Sequence, residues 1–266
     1  RWDLGNSLNS LAGLKRAGAE EAYHRAIEVF TKLVASAPND PRNRQMLAVT
    51  HINLGEFQAA NGQAALAEAS YNEAVTRLEQ LVTEDPTTVS NQAYVGYALA
   101  GLGQLQLSLG KAGDARALFE QAIDHQQKAL AASPSSSFAR NNLLAHRKAL
   151  AQVLLALHDH STAAATAEQI AKEPRTSAAL ADAAGVLARC VPLAQSDSAL
   201  TEAGRKTKAQ ALADRALALL REAIAKDPKT VDRIKANPDF EPLRSRDDFQ
   251  KLIATGAQPP AQPKVD

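Results

Sequence analysis

The sequence predicts an all-α fold of helix pairs that stack in chain order, and three observations lead to this prediction. Hydrophobic residues make up 45% of the chain but aromatic residues only 4%, a composition that suits closely packed helices better than strands. No run of alternating β-branched residues marks a strand. Prolines recur at a fixed interval, since Pro38, Pro86 and Pro134 follow one another with a period of 48 residues. A constant period of this kind indicates a repeated helical unit.

The proline interval belongs to a register that other positions share. Each proline ends a long helical segment, since proline lacks an N–H and its ring clashes with the preceding turn. Gly55 and Gly103, each preceded by leucine, are separated by the same period, and so are Gly62 and Gly110. We place Gly62 and Gly110 in the turns within helix pairs, where glycine can adopt the left-handed conformation that closes a helix. Further positions in register are aromatic or small: Tyr23, Tyr71 and Phe119; Ala26, Ala74 and Ala122.

From this register we predict five repeats, a cap and a tail. The first repeat is partial, because Gly5 lies about two residues out of step with Tyr23, and the fourth replaces the aromatic by Ala167 and the turn glycine by His158. The fifth is two helical segments interrupted near residues 192–198, and short helices at 231–237 and 246–253 cover the last apolar face. The predicted boundaries are 1–38, 43–86, 91–134, 139–174 and 178–228 for the repeats, 229–254 for the helical cap and 255–266 for a disordered tail.

This spacing resembles the tetratricopeptide repeat, in which an L-G pair, a turn glycine, A-x-x-x-F/Y, a small residue and a closing proline follow one another. The resemblance implies a right-handed superhelical solenoid of antiparallel helix pairs, in which the aromatic ring fills the gap beside the small residues. The period of 48 is longer than the usual ~34, and Gln58 and Gln106 replace an aromatic residue of the pattern. The matching positions are Leu54-Gly55, Gly62, Ala67, Tyr71, Ala74 and Pro86, then Leu102-Gly103, Gly110, Ala115, Phe119, Ala122 and Pro134.

A longer resemblance covers nearly the whole chain up to about residue 254. Residues 39–55 are similar to the repeats that follow the kinase domain in serine/threonine kinases of planctomycete-type bacteria, and residues 213–224 and 238–249 are similar to their last repeat. This resemblance implies the scaffolding or sensory part of a larger, membrane-tethered signalling protein. Because the chain starts at Arg1 with neither a methionine nor a signal-peptide pattern, we expect a fragment or a processed product of a longer protein. A free-standing scaffold and a small-ligand sensor stay open, as does the side of the membrane.

Charge and hydropathy indicate neither nucleic acid nor a membrane as the partner. The 30 basic and 29 acidic residues leave a formal net charge of +1, whereas nucleic-acid binding usually needs a clustered basic face. We find no apolar stretch approaching the ~18–20 residues that would span a bilayer, so we expect no membrane insertion of this chain. The sequence leaves the oligomeric state open.

Candidate chemistry is sparse, and we predict no enzyme, cofactor or metal site. The motif His158-Asp159-His160 has no specific metal-ligand spacing and lies where a turn is needed. Cys190, the single cysteine, lies on an apolar helix and reads as a buried, inert thiol. The chain contains no H-R-D, D-F-G or glycine-rich strand–loop, and Gly96, Gly101 and Gly103 fail the G-x-G-x-x-G pattern.

We expect a protein or peptide partner on the wall formed by the first helix of each pair. Positions six and three before and one after the L-G glycine should face this wall. We predict no clamp for a C-terminal carboxylate, because Asn53 aligns with Gly101 and Ala149. The predicted partner-binding residues are Tyr97, Lys148, Gln104, Gln152, Glu56, Ile52, Arg147 and Asn141, with Val49, Ala100, Ala145, Arg140, Ala59, Leu107 and Leu155 beside them.

Overall fold

The computed structural model describes residues 2–13, 18–173 and 175–256, apart from the side chains of residues 11–13 and 256. Nearly all of these residues are helical, and no strand occurs among them. The helices are α1 (Trp2–Gly13), α2 (Ala19–Ser36), α3 (Pro41–Ala60), α4 (Ala64–Glu84), α5 (Val89–Ser108), α6 (Ala112–Ala132), α7 (Ser137–Ala156), α8 (His160–Lys172), α9 (Ser177–Gln195), α10 (Glu202–Lys226), α11 (Thr230–Ala236), a 3-10 helix (Pro238–Leu243) and α12 (Asp247–Gly256). The predicted all-α class is confirmed.

Contacts divide the chain into two compact units, Arg1–His146 and Arg147–Asp266, so that α7 contributes to both. In the first unit α1–α2, α3–α4 and α5–α6 pack as pairs, and successive pairs meet through α2–α3, α4–α5 and α3–α5. In the second unit α9 packs against α8, α10 and the 3-10 helix, and α11 and α12 cover α10. Each unit therefore buries its apolar faces by stacking neighbouring helices, as repeat proteins do.

Helix ends follow local signals in the sequence. Asp40 caps α3 by accepting a hydrogen bond from the Arg42 backbone N–H at 3.0 Å, with Pro41 in the first turn. The helices α2, α4 and α6 end two residues before the periodic prolines. Thr176 and Thr201 cap α9 and α10 in the same way as Asp40 caps α3. These caps satisfy backbone donors that a helix start leaves without a partner.

The turns between α3 and α4, α5 and α6, and α7 and α8 are the same three-residue closure. Gly62 and Gly110 have φ of 74° and 77°, as predicted, and His158 takes the same left-handed region at φ 59°. In each turn the residue after this position donates its N–H to a carbonyl five residues back, at 2.9 Å, which is the six-to-one bond of a Schellman closure. The backbone of the fourth repeat thus keeps the turn although its glycine is lost.

Aromatic rings fill the spaces between helices of the first unit. A Cβ placed on Gly55 would lie 3.1 Å from Tyr71 ring carbons, and one on Gly101 would lie 2.5 Å from Tyr71 Cε1. Tyr71 is thus held between the first helix of its own pair and that of the next. A Cβ on Gly103 would lie 3.2 Å from Phe119 ring carbons, whereas Gly5 of the first repeat meets Phe30 instead of Tyr23.

Helix α9 differs from its sequence prediction in two ways. It continues through Pro192 to Gln195, and the chain leaves the helix only at Ser196, since a proline so near a helix end removes a single hydrogen bond. By length and composition α9 could also cross a membrane, so the expectation that no apolar stretch is long enough is wrong for this helix. Two thirds of its apolar window, 67%, is buried, and a core helix passes the same test.

The C-terminal part closes over α9 and α10. Phe240 and Phe249 are buried, with ring centroids 6.3 Å apart, and the 3-10 helix that carries Phe240 packs on α9. The last helix runs to Gly256, so residues 255 and 256 are helical. The rest of the predicted disordered tail, residues 257–266, lies outside the described residues.

Candidate functional site

The first helices of three successive repeats place a row of aromatic side chains in the first unit, next to one carboxylate. The Tyr97 hydroxyl on α5 donates to Glu56 Oε1 on α3 at 2.6 Å. The Tyr97 ring centroid is 6.0 Å from that of Phe138 on α7, and Phe138 is 5.3 Å from Tyr94. Phe138 is 42% exposed. We call Glu56, Tyr94, Tyr97 and Phe138 the aromatic face.

The charge of Glu56 acts on several tyrosines of the first unit. Burial first, and then the hydrogen bond and the negative charge of Glu56, raise the pKa of Tyr97. Burial and the same carboxylate also raise the pKa of Tyr71 and of Tyr23. Glu56 itself is exposed, and the described residues offer it no cation. All three phenols therefore stay protonated, and the Tyr97 hydroxyl holds the carboxylate in place.

The predicted wall residues of the first unit fall into two groups. Glu56, Gln104 and Asn141 are exposed and Tyr97 is half-buried, so these four can reach a partner. Ile52 is a correction, because its side chain is only 1% exposed and packs in the core. Among the flanking positions Ala100 is buried, Val49, Ala59 and Leu107 are partly buried, Ala145 is exposed, and the Arg140 guanidinium donates to the Pro134 carbonyl.

Phe138 is the residue that sequence reasoning missed. It lies outside the positions counted from the L-G glycine, in the first turn of α7. A signal for it does exist, since a spacing of 41 separates Glu56 from Tyr97 and the same spacing separates Tyr97 from Phe138. This spacing is one repeat less seven residues, which is two helical turns. Side chains on adjacent first helices meet along this diagonal.

The predicted residues of the second unit are engaged within it. Lys148 Nζ lies 2.7 Å from Asp182 Oδ2, and Arg233 pairs with the other oxygen of the same carboxylate. The Gln152 amide oxygen accepts from the Arg189 guanidinium. We call Lys148, Gln152, Asp182, Arg189 and Arg233 the ion-paired face.

Two further predicted residues of the second unit are not free surface. Arg147 donates to the Gln169 carbonyl at 3.3 Å, and burial lowers its pKa. Leu155 is buried and lines an open groove of about 430 Å³ together with Arg189, Pro192, Leu193, Pro238 and Pro242. Register predicted that Arg147 and Leu155 face the binding wall. Register alone, however, cannot show which contacts a side chain makes.

No carboxylate clamp forms from the residues considered for one. Asn53 donates its amide to Asn9 Oδ1 at 2.9 Å, and Lys148 is held by Asp182. Neither side chain is available to bind a peptide C-terminus, so the prediction of no preference for a free carboxylate still stands, awaiting a binding test.

The histidine motif serves the turn and its surroundings. His158 supplies the left-handed residue, Asp159 accepts from the Thr162 N–H at 3.0 Å to cap α8, and His160 Nε2 lies 3.0 Å from Asp197 Oδ2. Within the described part of the chain, no group of three or more His, Cys, Asp or Glu side chains is placed to hold a metal ion. Cys190 is buried, as predicted, and burial raises the pKa of its thiol to about 12.

The glycines that suggested a phosphate loop lie inside a helix. Gly96, Gly101 and Gly103 are all within α5, where no loop exists to surround a phosphate. A Cβ on Gly96 would lie 2.8 Å from the Ala122 carbonyl oxygen of α6. These positions therefore allow close approach of neighbouring helices and side chains.

No protein-family model and no curated protein matches the chain. Among solved structures it is similar to a Podosopora anserina putative kinesin light chain with nearly identical TPR-like repeats, at TM-score 0.44 and 20% identity over 80% of this chain and 93% of that one. It is also similar to MamA, at TM-score 0.41 and 17% identity over 80% and 94%. A thermophilic TPR protein of Thermus thermophilus is similar at TM-score 0.36 and 19% identity over 90% of this chain and 98% of that one. At such TM-scores and identities these likenesses support no statement about function.

Proposed function

We propose that this chain is a non-catalytic protein–protein interaction module that binds a peptide segment of its partner on the aromatic face. The observation that carries the proposal is Phe138, a large aromatic side chain that is 42% exposed while its ring makes tilted contacts with two tyrosines of the neighbouring helix. Aromatic residues with a polar surround dominate the binding energy of many protein interfaces, and they lose little conformational entropy on binding when already packed.

The shape of the site favours a peptide over a small ligand. Among the cavities that described residues line are three of about 250, 430 and 330 Å³, and Tyr97 lines none of these three. Small-molecule sites usually enclose most of the ligand surface, whereas an extended peptide or a partner helix needs an open row of contacts. The aromatic face runs across three first helices and offers such a row.

For the parent protein we propose a bacterial serine/threonine kinase, with this chain as its non-catalytic C-terminal region. Support comes from the similarity of residues 39–55, 213–224 and 238–249 to the repeats of such kinases. The reading frame upstream of Arg1 tests this part of the proposal. A kinase domain followed by an apolar span would support it, and an upstream end without one would contradict it in favour of a free-standing scaffold.

Site-specific photo-crosslinking tests the binding face directly. Phe138 is replaced by p-benzoylphenylalanine, the chain is exposed to extract of its own organism, and crosslinked proteins are identified by mass spectrometry. Leu66 on α4 gives a matched control, because it is a large apolar side chain that is 52% exposed on a second helix. We expect one protein to crosslink at 138 and not at 66.

A double variant completes this test. Tyr97→Ala with Phe138→Ala removes two rings of the aromatic face and should abolish the crosslink from a probe at Tyr94 while the helical signal is kept. Equal crosslinking at 138 and 66, or capture that survives the double variant, would contradict the assignment of this face.

A further inference from the structure

Glu56 is a carboxylate with an unused oxygen at the end of the aromatic row. Its Oε1 accepts the Tyr97 hydroxyl at 2.6 Å, and among the described residues neither a further hydrogen bond nor an ion pair is found for it. Several exposed acidic side chains in the described part of the chain form ion pairs, as Glu84 does with Arg44. Glu56 instead lies among tyrosines, whose phenol groups cannot neutralise it.

Within the described residues, the three helices that carry the aromatic face bring no cation to Glu56. Helix α5 contains no charged residue, and from Gln45 onward α3 contains only His51 and Glu56. Burial lowers the pKa of His51 to about 4, so this histidine is neutral at physiological pH. Arg140 supplies a cation on the part of α7 that belongs to the first unit, but its guanidinium donates to the Pro134 carbonyl. The aromatic face is therefore locally negative in a chain of net charge +1.

A carboxylate beside the faces of aromatic rings is a binding arrangement for an organic cation. The negative ring faces attract a Lys or Arg side chain, and the carboxylate supplies a charge-assisted hydrogen bond. An acidic peptide would instead meet an uncompensated negative charge. An all-apolar peptide would leave the free carboxylate oxygen without a partner as water is displaced, which is unfavourable.

We propose that the aromatic face recognises a basic peptide segment, whose Lys or Arg side chain packs on Tyr97 and Phe138 and binds Glu56. This inference rests on the proposed function and names the chemistry of its partner. Tyr97 acts as a positioning residue, because its hydroxyl fixes the carboxylate next to the rings.

The test uses a phage-displayed library of random peptides selected on the full chain. We expect selected peptides to be enriched in Lys or Arg, and we expect one synthetic basic peptide to bind about tenfold more weakly to Glu56→Gln than to the original chain. Glu79→Gln is the control, because it removes the same charge from an exposed position on the second helix of the same pair and should leave affinity unchanged.

A modified peptide separates the cation from the rest of the ligand. Acetylating its lysine removes the charge and keeps the chain length, so affinity for the original chain should fall by about tenfold, with little further loss on Glu56→Gln. Tyr97→Phe keeps the ring but frees the carboxylate, and we expect a loss of about threefold.

The possible outcomes distinguish the two proposals. Peptides that lose binding in Tyr97→Ala with Phe138→Ala, but show neither basic enrichment nor sensitivity to acetylation, would overturn the basic-peptide inference and leave the interaction module intact. Basic peptides that bind Glu56→Gln as well as the original chain would overturn it too. If no peptide is selected and no protein crosslinks at 138, the proposed function itself is wrong.

Discussion

The two units fill equivalent positions of one register with different side chains. In the first unit Tyr71 and Phe119 lie against glycines of the first helices. One period after Phe119 the second unit has Ala167, and one period after Gly103 it has Ala151, both fully buried. Rings against glycine in one unit, and alanines buried at the equivalent register positions in the other, indicate that helix packing depends on the summed side-chain volume and not on one residue type.

The surfaces of the first helices differ as well. The aromatic face of the first unit is uncharged apart from Glu56, whereas on the ion-paired face of the second unit Asp182 holds both Lys148 and Arg233. Charges that are already paired offer little to a partner, since binding would have to break those pairs. On this ground we propose that partner binding belongs to the first unit, and the following experiments test the difference between the two faces.

Acidification should produce the largest effect, through histidines of the first unit. Burial lowers the pKa of His51 and of His146 to about 4, against about 6.5 in the unfolded chain. As pH falls, the unfolded chain binds these protons at a higher pH than the folded chain does. The contribution of the two neutral histidines to the free energy of unfolding is therefore fully present above pH 6.5 and is lost as pH falls towards 4. The slope should approach about 1.4 kcal/mol per pH unit for each histidine.

Urea denaturation of the original chain and of His146→Gln between pH 4 and 8 measures this slope. The variant should lose stability less steeply below pH 6.5. Parallel curves for the two proteins would mean that His146 is protonated equally in the folded and unfolded states. In that case, acid should reduce the hydrogen-exchange protection of α3 and α7 no more than that of the other helices.

Gly101→Ala should have the next largest effect, because its Cβ would lie 2.5 Å from a ring carbon of the buried Tyr71. Overpacking of this kind costs about 2–3 kcal/mol in unfolding free energy. Gly113→Ala is the control, since nothing lies within 4 Å of a Cβ there, and it should be neutral or stabilise by up to about 1 kcal/mol. Equal urea midpoints for the two variants would show that Tyr71 is not a rigid filler.

Asp182→Asn should lower the stability of the second unit by about 1–2 kcal/mol at low salt, because it removes the shared partner of Lys148 and Arg233. The Asp182 side chain is only 16% exposed, so solvent screens this pair less than a surface ion pair. Asp232→Asn on the exposed side of α11 is the control. Thermal melts of both variants, with and without added salt, measure this loss of stability. An equal loss in Asp182→Asn and Asp232→Asn would mean that the ion-paired face has no special role.

His158→Gly should have the smallest effect and the opposite sign. His158 has φ 59° in a turn where the first unit uses Gly62 and Gly110, and relief of a left-handed non-glycine residue should stabilise by about 0.5–1 kcal/mol. The matched change Gly110→Ala should destabilise by about 1 kcal/mol. A melting temperature that falls in His158→Gly would mean that the histidine side chain contributes contacts that outweigh its backbone strain.

Much of the fold could be predicted because its signals are local. The turn glycines, the periodic prolines and the cap Asp40 act within a few residues of the structure they specify, and the helices end where they indicate. Pro192 misled for the same reason, since its local signal is real but a position near the helix end makes the cost small. Of the site, Glu56 and Tyr97 were predicted from register, whereas Phe138 needed a diagonal across helices that a single-repeat count does not contain.

The class of the fold, the positions of the turns and the small residues at which helices meet follow from local sequence signals. Packing between helices, in contrast, buries Ile52, pairs Lys148 with Asp182 and brings the Tyr97 hydroxyl to Glu56. The physical reason is distance along the chain. A turn is specified by neighbouring residues, but the exposure and charge of a side chain depend on partners from other helices, which are remote in sequence and meet it only once the helices have packed.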